Sequence, residues 1–270
     1  DPTIPLLINA KEIIPDKNKK EFDFIKETVS NKVNNLKNEI IRLMWHIKKT
    51  RILKDQKRGK LDSKQYYKLN YKSKRIKKIT KYGKKIDTAI TLLIDLSGSM
   101  GGSKTVITSQ IATIFGEALK AMPDVKLEIM AYNTGEKYSF SYTTKETVNT
   151  YMFKKFDENW DKAKYRIGSM TKNVCGANID HYSVEYAAHR LYQRKENNKI
   201  MFVICDGIPN SSLNGTYGGK LTDELKKTIQ KIKSNNIKLY CWGIDSERIY
   251  QFYKPDCEIL KTLDNLDVNS

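Results

Sequence analysis

The sequence is poor in the residues from which disulfide frameworks, zinc sites and membrane spans are built. Its 270 residues include only four cysteines and three histidines. No C-x-x-C motif occurs, and no histidine lies at zinc-site spacing from a cysteine. No apolar run approaches the roughly 20 residues that a helix needs to cross a bilayer, and no signal-peptide pattern opens the chain. We therefore expect no membrane association and a location in the cytoplasm, or in the virion or infected cytoplasm for a phage-encoded chain.

The positive charge is concentrated in the first third of the chain. The formal net charge is +18, and residues 1–88 hold 25 basic and 10 acidic side chains, against 24 and 21 in the remaining 182 residues. Between Lys48 and Lys85 there are 17 basic side chains and two acidic ones. The charge predicts two parts: a strongly basic, helical N-terminal arm over 1–87 and a nearly neutral globular domain over 88–270.

Apolar residues in the arm recur at spacings of three and four, which predicts one amphipathic helix over 22–47. The apolar positions are Phe22, Ile25, Val29, Val33, Leu36, Ile40, Leu43 and Ile47. We expect this helix to dock through that stripe on the following domain or on a partner subunit. A second helix is predicted to begin near 61–73, with Asp62 or Ser63 as its cap.

The second part alternates apolar strand patterns with helical ones. Strands are predicted over 88–94, 125–133, 199–205 and 237–244, with an edge strand near 138–142. Helices are predicted over 106–122, 179–194 and 221–235. Continuous apolar strands that alternate with helices indicate an α/β fold with a doubly wound, mostly parallel sheet flanked by helices on both faces.

In such folds, ligands bind at the carboxyl ends of the strands. Polar residues follow two of the predicted strands at this end. Asp95, Ser97 and Ser99 form a D-x-S-x-S motif after the first strand, and Asp206 begins a D-G-x-P motif after a later one. Two carboxylates and two hydroxyls form an all-oxygen set that suits Mg²⁺ or another divalent cation. The alternative is that these residues only cap the following helix.

The same segments carry a family resemblance. TLLIDLSGSM and CDGIPN resemble the von Willebrand factor type A (VWA) domain, a Rossmann-like fold, and its metal-ion-dependent adhesion site. RGKLDSKQYYKL, DENWDKAKYRIGSM, NIDHYSVEYAAHRL and GIDSERIYQFYK resemble the C-terminal region of the cobaltochelatase subunit CobT. The resemblance implies a MoxR-type AAA+ ATPase that reaches the metal through an acidic residue. It also implies a client protein or a chelatase subunit as a further partner.

One position departs from the VWA pattern. Where these domains commonly place a metal-binding threonine in a G-T-N segment, this chain has Ala177, which offers no oxygen. Asp180, two residues beyond Asn178, is a candidate replacement ligand, and the alternative is that it caps a helix. No nucleophile–base pair or acid–base carboxylate pair stands out, so we expect no catalysis by this chain alone. It can still be a subunit of an ATP-dependent, cobaltochelatase-like complex.

Two other interpretations come from local patterns. Residues 98–105 nearly spell a phosphate-binding loop that ends in Lys104, but Ser103 replaces its second glycine, so we expect no ATP hydrolysis. The basic arm, in which tyrosines alternate with lysines, is the alternative functional site, for nucleic acid. Its candidate phosphate contacts are Lys74, Arg75, Lys77, Lys78, Lys81, Lys84 and Lys85.

Overall fold

The computed structural model describes residues 10–31, 51–65, 68, 75–81, 87–135, 147–207, 209 and 218–261. The chain forms two compact units, one made of Asp1–Lys37 with Asp87–Ser270 and the other of Asn38–Ile86. The limit at residue 87 coincides with the change in charge density. The first 37 residues, however, group with the later part of the chain and not with the basic segment, a division that net charge alone does not reveal.

The larger unit is built on a seven-stranded sheet with the order β1-β7-β6-β5-β8-β9-β10. Its strands are β1 Ala10–Ile13, β5 Thr88–Asp95, β6 Val125–Gly135, β7 Thr147–Lys154, β8 Asn198–Cys205, β9 Ile237–Ile244 and β10 Cys257–Leu260. All neighbouring pairs are parallel except β6 and β7. The central strand β5 is buried along its whole length, as a strand covered on both faces must be.

Helices cover both faces of this sheet. They are α1 over 19–31, α2 Ser103–Leu119, α3 Trp160–Ala163, α4 Asp180–Tyr192, α5 Gly218–Ser234 and α6 Tyr250–Tyr253. On one face, Val184 of α4 and Leu225 of α5 share a core cluster with Val203 of β8. On the other, Phe115 of α2 packs edge-on against Phe202, with ring centroids 5.4 Å apart. The predicted doubly wound, mostly parallel α/β fold is confirmed.

The N-terminal residues extend this unit. β1 pairs in parallel with β7 and forms one edge of the sheet. Phe22, Ile25 and Val29, at the predicted apolar positions of α1, are at most 4% exposed. The Phe22 ring makes edge contacts with Trp160 and Tyr165, at centroid distances of 6.1 and 5.6 Å. The amphipathic helix thus docks on its own domain through the described part of its stripe, and Val33, Leu36, Ile40, Leu43 and Ile47 lie outside the described residues.

The smaller unit contains an antiparallel sheet of β2 Arg51–Gln56, β3 Lys60–Leu61 and β4 Lys77–Lys81, in the order β2-β4-β3. These segments are strands, although the sequence predicts a helical arm. The strands are held together by cross-strand pairs such as Leu53 opposite Ile79. A local sequence pattern does not show such partners, because they are distant in sequence. Asp62 accepts a hydrogen bond from the Lys64 N–H at 3.3 Å, and residues 63–65 form a 3-10 turn, not the predicted α-helix.

The edge strands of the larger sheet differ from the sequence-based predictions. The strand antiparallel to β6 is β7, whereas the predicted edge strand near 138–142 lies outside the described residues. β10 was not predicted, because its four residues carry too short a pattern. Within the described ranges, no helix is long and apolar enough to cross a membrane.

Candidate metal centre

The candidate site lies where the strand order reverses. β5 has β6 on one side and β8 on the other, so the loops that follow β5 and β8 diverge and leave a crevice between them. Asp95 is the last residue of β5, and Asp206 directly follows β8. The parallel register of the two strands, with Ile94 opposite Ile204, brings these acidic residues to the same end of the sheet.

Asp95 is a buried carboxylate with one oxygen left unpaired. Its side chain is fully enclosed, and its Oδ1 accepts the backbone N–H of Ser97 at 2.7 Å. Its Oδ2 has no hydrogen-bond partner among the described residues. Burial raises the pKa of Asp95 well above its ordinary value, and the nearby carboxylate of Asp180 raises it further. A carboxylate in this position gains strongly from a neighbouring cation.

The two predicted serines connect Asp95 to Asp206. The Ser97 and Ser99 hydroxyl oxygens lie 3.1 Å apart. The Ser99 hydroxyl donates to Oδ1 of Asp206 at 2.9 Å. Ser97 is 2% exposed, whereas Ser99 faces solvent. The hydroxyls therefore form a polar line between Asp95, which is fully buried, and Asp206, whose side chain is 9% exposed. The structure brings together all four residues of the predicted oxygen set.

Asp180 lies behind this line at the start of α4, where it is 2% exposed. Its Oδ1 accepts the Tyr132 hydroxyl at 2.5 Å, and the Asn178 side-chain amide donates to both oxygens at 3.1 and 3.2 Å. Burial and the charge of Asp206 together raise its pKa to about 6, although the hydrogen bonds from Tyr132 and Asn178 lower it. Because Tyr132 and Asn178 already donate three hydrogen bonds to this carboxylate, direct ligation of a metal by Asp180 stays a prediction.

The segment around Ala177 is held in place by its backbone. The Gly98 N–H donates to the Gly176 carbonyl at 3.0 Å, and the Ala177 N–H donates to the Thr134 hydroxyl at 2.9 Å. Gly176 has φ +67°, and a Cβ there would lie 1.8 Å from the Thr134 carbonyl oxygen. Glycine is therefore required at this close crossing. Thr134, which anchors the segment, was missed in the sequence because nothing separates it from an ordinary strand residue.

These side chains line an open cleft of about 710 Å³. It is lined by Ser97, Ser99, Lys104, Gly176, Ala177, Asn178, Asp206, Pro209, Asp245, Ser246 and Arg248. The Lys104 ammonium lies 2.5 Å from Oδ2 of Asp206. The sequence marks Lys104 only as part of an incomplete phosphate loop. In the structure Lys104 contacts a carboxylate, and the adjacent Thr105 hydroxyl donates to the Met100 carbonyl.

The donor set fits a hard divalent cation. Mg²⁺ takes oxygen ligands and is usually held by one or two carboxylates, with waters in the remaining positions. Asp95 and Asp206 with the two serine hydroxyls meet that need, and the unpaired Asp95 Oδ2 is the atom that gains most from it. Across the described residues, no group of three His, Cys, Asp or Glu side chains is close enough to hold a metal. A set of carboxylate and hydroxyl oxygens without thiolate or imidazole suits magnesium better than zinc.

Residues 77–266 match the family model of the VWA domain of the cobalamin biosynthesis protein CobT. The chain belongs to this family. The matched range covers well over half of the sequence and includes β4, the whole crevice and β10. The resemblance carried by the D-x-S-x-S and D-G-x-P motifs is thus confirmed at the level of the family.

Solved structures with similar folds include three proteins of other kinds. The pilus adhesin SpaC from Lactobacillus rhamnosus GG is 13% identical with a TM-score of 0.49; 66% of this chain and 29% of the adhesin are covered. Proximal thread matrix protein 1 from the mussel byssus is 12% identical with a TM-score of 0.47, over 66% of this chain and 44% of its own. The vWF domain of the pilus tip protein Mfa5 from Porphyromonas gingivalis is 9% identical with a TM-score of 0.44, over 66% and 90%. This CobT-family chain spans less than a third of the adhesin's length.

The candidate nucleic-acid residues belong to the smaller unit. Lys77, Lys78 and Lys81 lie on β4, and Arg75 precedes it. The Lys78 ammonium is 3.8 Å from Oδ1 of Asp62. The remaining three candidates, Lys74, Lys84 and Lys85, lie outside the described residues.

Proposed function

We propose that this chain is a non-catalytic, metal-dependent interaction module. In this proposal it is a CobT-like adaptor subunit that works with a MoxR-type AAA+ ATPase in metal chelation or client remodelling. The observation that carries the proposal is the open cleft lined by Ser97, Ser99 and Asp206, with Asp95 and its unpaired oxygen buried next to Ser97. Family membership supports a role related to cobalamin biosynthesis.

Mg²⁺, when bound, would supply this cleft with concentrated positive charge that attracts acidic groups. The residues of the chain would supply the oxygen ligands. Asp95 provides a deep carboxylate whose position is fixed by the Ser97 N–H. Ser97 and Ser99 provide neutral oxygens, and Asp206 provides the second carboxylate at the solvent side. An acidic side chain from a partner can then approach from solvent, since the cleft is open above Ser99 and Asp206.

The partner class follows from the family and from the chemistry of the site. A site that lacks one protein oxygen, at Ala177, gains most from a ligand that brings its own carboxylate. In the proposed complex, an acidic residue of the AAA+ ATPase would bind the cation from the solvent side, and the ATPase would supply the energy from nucleotide hydrolysis. A client protein or a large chelatase subunit is then the object of the reaction.

The proposal is tested by measuring association with a MoxR-type AAA+ ATPase from the same genome. Binding is expected in Mg²⁺ and lost in EDTA. Asp206→Asn should abolish the magnesium-dependent part. Asp245→Asn is the matched control, because Asp245 lines the same cleft but makes no described hydrogen bond with any of the four oxygen-set residues. Equal association in EDTA and in Mg²⁺, or full association by Asp206→Asn, would contradict the proposal.

The smaller unit supports a second candidate function, nucleic-acid binding. Its two acidic residues in the basic stretch are already engaged, Asp55 with Lys68 at 2.5 Å and Asp62 with Lys78 at 3.8 Å. The other basic side chains of the stretch therefore exceed the available acidic ones. Filter binding to DNA and RNA across a salt series tests this: binding should fall steeply with salt, and Lys77→Gln with Lys81→Gln should reduce the slope by about 2. A weak response that is flat with salt would remove the idea.

A further inference from the structure

The cleft contains two cationic side chains that the metal proposal does not use, Lys104 and Arg248. We propose that Lys104 competes with the cation for Asp206 and, once released, binds a second carboxylate of the partner together with Arg248. The cleft would then select a segment with two neighbouring acidic residues. This inference rests on the proposed metal-dependent function and adds the kind of partner that the site accepts.

The first observation is the contact at Asp206. The Lys104 ammonium donates to Oδ2 at 2.5 Å, and the Ser99 hydroxyl takes Oδ1 at 2.9 Å. Both oxygens of Asp206 are thus occupied by groups of the chain itself. The Asp206 side chain is 9% exposed and that of Lys104 is 28% exposed, so the pair is sheltered from solvent. Charge-assisted contacts of this kind are stronger than neutral hydrogen bonds.

A cation that binds Asp206 must displace the Lys104 ammonium from it. A divalent cation at Asp206 and an ammonium at hydrogen-bond distance from the same carboxylate repel each other strongly. Binding of the cation therefore requires Lys104 to move off Oδ2, and the lost contact lowers the apparent cation affinity. Lys104 is the second residue of α2, so its backbone stays at the rim while its long side chain moves. The ammonium then remains in the cleft without its carboxylate.

The third observation is Arg248 on the same cleft. Within the described part of the chain, its guanidinium forms no ion pair, even with Asp245, which also lines the cleft. Guanidinium groups bind carboxylates through two parallel hydrogen bonds, and an exposed one with no acidic partner is available to a ligand. A partner carboxylate at the cation and a second one at Lys104 and Arg248 would use all the positive groups of the cleft.

Calorimetric titration with Mg²⁺ tests the competition. Lys104→Met should bind Mg²⁺ about tenfold or more tightly than the wild type, equivalent to roughly 1.4 kcal/mol. Arg248→Met is the matched control, because it removes one positive charge from the same cleft without breaking a contact to Asp206. It should change the affinity by about threefold or less. Equal effects of the two variants, or weaker binding by Lys104→Met, would overturn the proposal.

Two short peptides test the second carboxylate, acetyl-Gly-Asp-Glu-Gly-amide and acetyl-Gly-Asp-Gln-Gly-amide. A peptide that binds the cation-loaded cleft raises the apparent affinity for Mg²⁺ by linkage. In the wild type, the diacidic peptide should raise this affinity more than the monoacidic one, and Lys104→Met with Arg248→Met should remove the difference. An equal effect of both peptides on the wild type would overturn the selection of paired acids.

These outcomes separate this inference from the function on which it rests. If the wild type binds Mg²⁺ through Asp206 and Lys104→Met matches Arg248→Met, the metal-dependent function stands and the role of Lys104 is overturned. If neither the wild type nor Lys104→Met binds Mg²⁺, the metal-dependent function fails, and this inference fails with it.

Discussion

Two buried carboxylates of the larger unit, Glu128 on β6 and Asp95 on β5, differ in their hydrogen-bond partners. Both are 0% exposed. Glu128 is paired with Arg190 of α4, whose guanidinium donates to Oε1 at 2.7 Å and to Oε2 at 3.2 Å. Asp95 receives one backbone N–H and keeps an unpaired oxygen. Among the described residues, Glu128 has a cationic hydrogen-bond partner and Asp95 has none.

Burial raises the pKa of both carboxyl groups, but the groups that oppose this rise are different. Burial raises the pKa of Glu128, and the hydrogen bonds and charge of Arg190 oppose that rise. Burial raises the pKa of Asp95 well above its ordinary value, Asp180 and Asp206 raise it further, and only the neutral hydrogen-bond donors of Ser97 oppose the rise. A buried group surrounded by like charges destabilises the fold unless something cationic joins it. Glu128 is therefore structural, whereas Asp95 is the carboxylate that we propose binds an external cation.

The largest expected effect comes from breaking the structural pair. Arg190→Met leaves Glu128 buried without a cation and should destabilise the protein by about 3–5 kcal/mol. Chemical denaturation measures this loss. Glu128→Gln in the Arg190→Met background should restore a large part of the lost stability. If Arg190→Met is as stable as the wild type, the pair is not what makes burial of Glu128 tolerable.

The next effect concerns Asp180 and pH in the metal-free protein. Its pKa is raised from 3.8 to about 6 in the folded state, so its contribution to stability is complete below about pH 4 and is lost as the pH rises through 6. The loss amounts to about 2–3 kcal/mol. Asp180→Asn should therefore gain stability relative to the wild type across this window, as measured by denaturation in EDTA. Parallel pH profiles of the two proteins would contradict the assignment.

A smaller effect is expected for the metal-side carboxylate itself. Asp95→Asn removes the buried charge, while its side-chain oxygen can still accept the Ser97 N–H. In EDTA at neutral pH it should be more stable than the wild type by about 1–2 kcal/mol. Adding Mg²⁺ should raise the melting temperature of the wild type but not that of Asp95→Asn. A clear loss of stability in EDTA would show that Asp95 is structural, like Glu128.

The smallest effect is expected at Ala177. Ala177→Thr adds a hydroxyl beside the cleft and should tighten magnesium binding by about threefold, a gain below roughly 1.4 kcal/mol. Ala177→Val has the same shape without the hydroxyl and is the control. Equal magnesium affinity in both variants would show that the hydroxyl does not reach the cation, as expected if Asp180 already serves that position.

The sequence predicted the sheet and the oxygen set because both depend on local patterns. Apolar runs mark β5, β6, β8 and β9, and strand ends mark Asp95 and Asp206. It did not predict the strands of 51–81, because lysine-rich segments show no apolar alternation and their pairing is set by partners distant in sequence. It also missed the roles of Lys104, Tyr132 and Thr134. Their contacts join residues 43 to 102 positions apart, and no spacing in the chain reports these.

Calorimetric titration of the metal-free protein with Mg²⁺ tests whether Asp95 and Asp206 bind a cation. The wild type and Glu128→Gln should each bind one Mg²⁺, whereas Asp95→Asn and Asp206→Asn should show no saturable binding. Glu128→Gln controls for loss of a buried carboxylate outside the cleft. Magnesium binding by Asp206→Asn with the affinity of the wild type would contradict the account.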